Sequence, residues 1–211
     1  MKCLVIVAHP DDETIWMGGT MLRHVRWEWH LLSLCRADDP GRAPRFHRVA
    51  QEFAAHAHIS DLDDSPVLAP LSLDLREIKD RILALPFLNY DLIFTHGRYG
   101  EYTRHERHEQ VHQAVYELSK ADILVGELIF FAYDDCGKTC LPRPSQDATI
   151  LIDLREDEFA AKQRIMRDIY GFSTDSFEVQ SAGPVEAFRT LHAAKRFNRR
   201  LRLNTLTNRR G

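Results

Sequence analysis

The sequence predicts an α/β protein: a mainly parallel sheet with helices on both faces, in a single domain. Three observations carry this. "KCLVIVA" (2–8) and "YDLIFTH" (90–96) are near-continuous apolar runs of β-branched and aromatic character, the mark of strands buried on both faces. Segments of helical periodicity fall between such runs, as crossover connections between parallel strands require. A chain of 211 residues builds one full core and is short for two.

Taken in order, "KCLVIVA" is the first strand and stops at Pro10. "DDETIWMGGTMLRHV" follows as a helix entered through acidic residues, which suit its N-terminus. "WHLLSLCR" (29–36) is the next strand, and "ADDPGRAP" is a loop of turn formers. "RFHRVAQEFAAHAHI" (45–59) has helical spacing, "SPVLAPLS" has room for a short strand, and "LDLREIKDRILAL" (72–84) is helical. After "YDLIFTH" comes the loop "GRYGEYTR" and a histidine-rich helix reaching about Lys120. "ADILVGELIFFAY" and "ATILIDL" read as strands, "REDEFAAKQRIMRDIY" (155–170) as a helix, and "GPVEAFRTLHAAKRF" as the start of a last helix.

Bulk properties exclude several classes. At 44% hydrophobic and 28% charged residues, the composition is that of an ordinary globular protein. No apolar run reaches the length of a membrane span, and the N-terminal run is too short for a signal peptide, so a cytoplasmic protein with no membrane partner is expected. From Lys195 to Gly211 there are seven basic residues and no acids. Without aromatic interleaving or a groove-reading motif this is a solvated basic tail, not a nucleic-acid arm. Cys3 and Cys35 lie in predicted strands, and Cys136 and Cys140 form a CxxxC with no further ligands nearby, so all four are read as free thiols. Trp27 and Trp29 on a strand edge pack or face a subunit neighbour, which leaves room for a homo-oligomer.

In parallel sheets ligands bind beyond the carboxyl ends of the strands. The loop after the first strand carries "AHPDDE", and the segment after "YDLIFTH" carries "HERHEQVH" (105–112). Both clusters therefore belong at one edge. His9 and Asp12 are three apart on a tight turn and can point at one ion. A catalytic zinc site takes three protein ligands and keeps a position for water. His9, Asp12 and one histidine of the later helix make such a set, and leave Asp11 free to take a proton. Taken alone, consecutive aspartates at a helix start equally suit capping.

"AHPDDETIWMGGTML" followed by "THGRYGEYTRHERHEQVHQAV" resembles the LmbE-like (PIG-L) family of zinc-dependent de-N-acetylases. "LSLCRAD" and "GPVEAFRTL" are similar to that family's second strand and last helix. The chain departs from the common HPDH at residues 105–108, and Ala37 stands where a glycine usually follows Arg36. The resemblance implies a Rossmann-like fold and an enzyme that removes the acetyl group from an N-acetylated amino sugar, GlcNAc-type, or its conjugate. It implies one Zn2+ per chain on His9, Asp12 and His108, although a site of this kind accepts other divalent metals. It further implies Asp11 as general base, protonated His105 as the group that steadies the oxyanion and helps protonate the leaving amine, and His112 as a supporting residue.

His108-Glu109-Gln110-Val111-His112 also matches HExxH, which on a zincin-type peptidase would make His108 and His112 ligands and Glu109 the base. That reading leaves "AHPDDE" without a role, so Glu109 is read as a helix-surface charge. A catalytically silent sugar-binding protein on the same fold is the other alternative. Arg36, Arg48 and Tyr102 are candidate substrate-binding residues, and His96 ends a strand beside the site. Gly18-Gly19 is not a dinucleotide fingerprint, because no GxGxxG follows the first strand.

Overall fold

The computed structural model describes residues 1–64, 71–102 and 105–190. The basic tail and residues 65–70 of the "SPVLAPLS" strand expectation lie outside the described residues, and the last two residues of that stretch, Leu71 and Ser72, begin a helix. Strands β1 (Lys2–Val7), β2 (Glu28–Cys35), β3 (His56–Leu62), β4 (Asn89–Thr95) and β5 (Val125–Phe131) alternate with helices α1 (Asp12–Arg23), α2 (Arg42–Glu52), α3 (Leu71–Leu83) and α4 (Glu106–Lys120). A two-residue hairpin, β6 (Tyr133–Asp134) with β7 (Arg143–Pro144), leads to β8 (Ile150–Asp153), α5 (Glu156–Arg164), α6 (Phe177–Ser181) and β9 (Val185–Thr190). A five-residue π-helix, Ile165–Ile169, prolongs α5.

The main sheet has seven strands in the order β3-β2-β1-β4-β5-β9-β8. β1 to β5 are mutually parallel, and β9 runs antiparallel between β5 and β8. Period-two alternation sorts each central strand into two cores. Cys3, Val5 and Val7 face a layer with Trp16, Met21, Phe46 and Phe53, whereas Leu4, Ile6 and Ala8 face Ile78, Ile82, Val111 and Val115. Helices α1, α2 and α5 thus cover one face and α3 and α4 the other, which is why β1 reads as an unbroken apolar run.

Two expectations are corrected. The helical reading of 45–59 holds only to Glu52; His56–Leu62 is a strand that pairs His30 with His56 and Leu32 with His58. Histidines at 56 and 58 separated by Ala57 are a period-two signal that the helix reading overrode. "GPVEAFRTL" does not begin a helix: Val185–Thr190 is β9. A short apolar run fits either period, and pairing on both sides decides for the strand. Glu186 is the further reason. Its buried carboxylate accepts the backbone N–H groups of Gly19 and Thr20 and pairs with Lys162 at 2.8 Å, tying β9 to α1 and α5.

Candidate active site

The β1–α1 turn and the β4–α4 segment meet at the carboxyl edge of the sheet, as the topology requires. Asp11 carries a positive φ of 126°, a conformation that costs a non-glycine residue on the order of 1–3 kcal/mol. It is held there by buried Glu13, which accepts the Asp11 N–H at 3.0 Å and is itself fixed by Thr14 and Tyr170 hydroxyls, each at 2.6 Å. Asp11 makes no side-chain cap on α1. Its carboxylate accepts from Arg42 at 2.9 Å instead. Burial, followed by the adjacent Asp12 charge, pushes the Asp11 carboxyl well above the usual range, against the pull of Arg42.

Hydrogen-bond partners fix one donor nitrogen on each of three imidazoles. His9 Nε2 donates to Asp64 at 2.9 Å, which leaves its Nδ1 to face Asp12 Oδ2 at 3.3 Å. His108 Nδ1 donates to Glu101 at 2.7 Å, which leaves Nε2 to face the same oxygen at 3.4 Å. His96 Nδ1 also donates to Glu101, at 2.8 Å, while its Nε2 accepts the N–H of Ala8 at 2.9 Å. Asp12 Oδ1 is taken by the Trp16 indole N–H at 3.1 Å.

Two imidazole nitrogens therefore converge on one carboxylate oxygen, Asp12 Oδ2, which also accepts the His9 backbone N–H at 3.0 Å. His108 Nε2 is buried without a hydrogen-bond partner. Such a buried group is stable only around a positive charge, carried by protons on the imidazoles or by a metal ion in their place. Protonation behaviour says the same. Burial opposes charge on both groups, yet Asp12 and Glu101 push His108 up to about 10, and His108 and His96 hold Asp12 well below the usual carboxylate range. The donor set fits a divalent cation of the borderline kind, such as zinc. Two overlapping sets of donor atoms lie within 4.8 Å of one another: His9, His105 and His108; and Asp12, His96 and His108. His108 is common to both, and His96 is engaged by Ala8.

Of the sequence-derived candidates, His9, Asp11, Asp12, His105 and His108 lie together. The His105 ring stacks on His108 at 4.1 Å and meets His9 edge-on at 5.1 Å. Burial, then the charges of His108 and His9, push His105 down to about 4. Tyr102 is half-buried, its ring against His105, His108 and Phe177. Arg36, in a left-handed conformation at φ 74°, pairs with Asp64 at 2.6 Å and so reaches the site through His9. Arg48 is exposed on α2; Arg42, a turn and a half earlier, is the arginine that meets Asp11. Glu109 is half-buried rather than a fully exposed charge.

His112 does not face Asp12. Its Nδ1 donates to the His96 carbonyl at 2.9 Å and its ring packs on Phe130. HExxH thus presents one histidine to the convergent acceptors and one to the protein interior. Glu13 belongs to the "AHPDDE" turn, and three contributors went unread in the sequence: Arg42, Asp64 and Glu101. The last lay within the quoted "GEY", directly after Gly100, whose φ of 75° makes the turn that brings the carboxylate under His96 and His108.

A family model described as GlcNAc-PI de-N-acetylase, PIG-L, matches residues 4–119. Among curated proteins none matches the chain significantly in sequence. Solved structures share the fold at low identity. N,N'-diacetylchitobiose deacetylase from Pyrococcus horikoshii is 15% identical, with a TM-score of 0.62 over 93% of this chain and 88% of that one. Teicoplanin deacetylase Orf2, solved in a zinc-inhibited form, is 12% identical, with a TM-score of 0.60 over 81% and 84%. The 4-carboxy-2-hydroxymuconate hydratase GalB from Pseudomonas putida is 14% identical, with a TM-score of 0.57 over 86% and 82%.

Proposed function

The chain belongs to the PIG-L, GlcNAc-PI de-N-acetylase, family of amide hydrolases, and on that premise we propose that it removes the acetyl group from an N-acetylated amino sugar of GlcNAc type, or a conjugate of one. The observation that carries the reading is the convergence of His9 Nδ1 and His108 Nε2 on Asp12 Oδ2. Those three residues would hold one zinc ion. When bound, zinc supplies Lewis-acid activation of water and of the amide carbonyl.

The chain's own residues do the rest. Asp11 takes the proton of the attacking water; burial and the neighbouring Asp12 make it a stronger base than a solvated carboxylate. Arg42 fixes the orientation of that carboxylate. As the C–N bond breaks, the proton returns from Asp11 to the leaving amine, so acetate and a free amine are the products. His105, set beside His108, donates an N–H toward the developing oxyanion, a contribution worth a few kcal/mol per donor. Glu101 and Asp64 hold His108 and His9 in the tautomers that aim lone pairs inward. Tyr102 and Arg36 flank this group and would meet the sugar.

A zincin-type peptidase is disfavoured because His112 is turned to the His96 carbonyl. A silent binding protein is disfavoured by the buried, strained Asp11, which has no structural cap to make. The test is release of acetate and free amine from N-acetylglucosamine conjugates by the zinc-loaded protein. Asp11→Asn should bind zinc normally and lose turnover; full activity in that variant would refute the assignment, and turnover of an unsaturated acid without acetate release would favour hydratase chemistry.

A further inference from the structure

A second group of metal-binding side chains lies at the opposite, amino edge of the sheet. Glu28 and His30 begin β2, and His56 begins the edge strand β3, directly paired with His30. Ligand atoms of these three residues lie within 4.8 Å of one another. His30 Nε2 bonds Glu28 Oε1 at 3.0 Å, and the His30 and His56 rings stack at 4.7 Å. His58, two residues on and hence on the same face, stands parallel to His30 at 6.1 Å.

What sets this locus apart from an ordinary surface cluster is its unmet hydrogen-bonding capacity. His30 is only 3% exposed, and its Nδ1 has no partner; the buried His58 Nε2 and the Tyr90 hydroxyl, the latter on a ring edge-on to His30, have none either. With Nε2 donating to Glu28, the His30 Nδ1 is a buried lone pair facing no donor. Leaving such groups unmet is costly. One cation nearby, Lys2, stands 3.9 Å from Glu28 and spends its ammonium over the Phe87 ring.

We propose that Glu28, His30 and His56 form a second metal site, separate from the catalytic one, that takes a late first-row divalent ion such as Zn2+ or Cu2+. Two imidazoles and a carboxylate are the donor types such ions select, and exposed Glu28 and His56 are free to draw in around buried His30. An ion here would link β2 to the edge strand β3 from outside the active site. Its effect is therefore on stability and not on the reaction.

The test compares metal uptake by wild type and by His56→Ala, both already carrying active-site zinc. His56 is exposed, so its loss leaves the core intact. Titration with Cu2+, followed by the electron paramagnetic resonance signature of imidazole nitrogen, should show one equivalent more in wild type than in His56→Ala. Glu28→Gln should weaken that equivalent, and zinc in excess should raise the Tm of wild type alone. Equal uptake and an equal Tm response in wild type and His56→Ala would overturn the proposal. Because the readout is a difference between the two proteins, it stands or fails independently of the deacetylase assignment.

Discussion

Glu101→Gln is the substitution whose consequence the structure defines best. The Glu101 carboxylate is fully buried and accepts three hydrogen bonds: His108 Nδ1 at 2.7 Å, His96 Nδ1 at 2.8 Å and the Gly97 N–H at 2.8 Å. Burial disfavours its charge, yet the two imidazoles hold its carboxyl at about 2. An amide in its place has one oxygen and one NH2. If the NH2 faces the imidazoles, two donors meet it; if it faces Gly97, one backbone donor does. Either orientation breaks at least one charge-assisted bond, worth about 1.5–3 kcal/mol, and leaves a buried donor unpaired. His108 is then released from the tautomer that presents Nε2 to Asp12. The expected result is a fall in zinc affinity of about 10–100-fold, together with a lower urea midpoint. Competition against a chromophoric chelator measures the first and urea unfolding the second. Unchanged zinc affinity in a folded Glu101→Gln protein would refute the role given to Glu101 and, with it, the tautomer argument.

Further outcomes follow from other parts of the molecule. Asp11→Asn should keep zinc while acetate release drops by about 10²–10⁴-fold, read by amine detection on a GlcNAc conjugate. Lys162→Met leaves Glu186 charged and unpaired in a fully buried position, so urea unfolding should show a loss of about 3–5 kcal/mol; a near-neutral result would show that the backbone donors of Gly19 and Thr20 suffice. His24, stacked on Trp27, is pushed down to about 4 by burial and then by Arg23. Its folded value lies below the unfolded one near 6.5, so the unfolded chain takes up the extra proton: its contribution to stability is present above pH 6.5 and is lost as pH falls toward 4. The slope from this group is at most about 1.4 kcal/mol per pH unit, and His24→Leu should remove it from the pH dependence of the urea midpoint.

Four of the five parallel strands, β1, β2, β4 and β5, and the α1 and α4 helices were legible because a buried parallel strand leaves an apolar run and a helix leaves a three-and-four spacing. β3 and β9 were not. Both are short, partly polar strands, and what makes them strands is pairing with β2, β5 and β8, which no local pattern records. The candidate site shows the same division. His9, Asp11, Asp12, His105 and His108 sit in compact motifs whose placement at one sheet edge follows from topology alone. Asp64, Arg42 and Glu101 act on those residues from other segments, and an isolated acid or arginine in a loop carries no mark of the imidazole or carboxylate it will meet. His112 shows the converse. Its spacing from His108 suggested a shared metal, and only the fold reveals that its Nδ1 is turned to the His96 carbonyl.

The measurement that bears most directly on the central claim is the zinc content of purified Asp12→Ala and His112→Ala beside wild type. If the metal lies between the β1–α1 turn and α4, zinc is lost from Asp12→Ala and kept by His112→Ala. Zinc retained in Asp12→Ala and lost from His112→Ala would place the metal on HExxH and contradict the account.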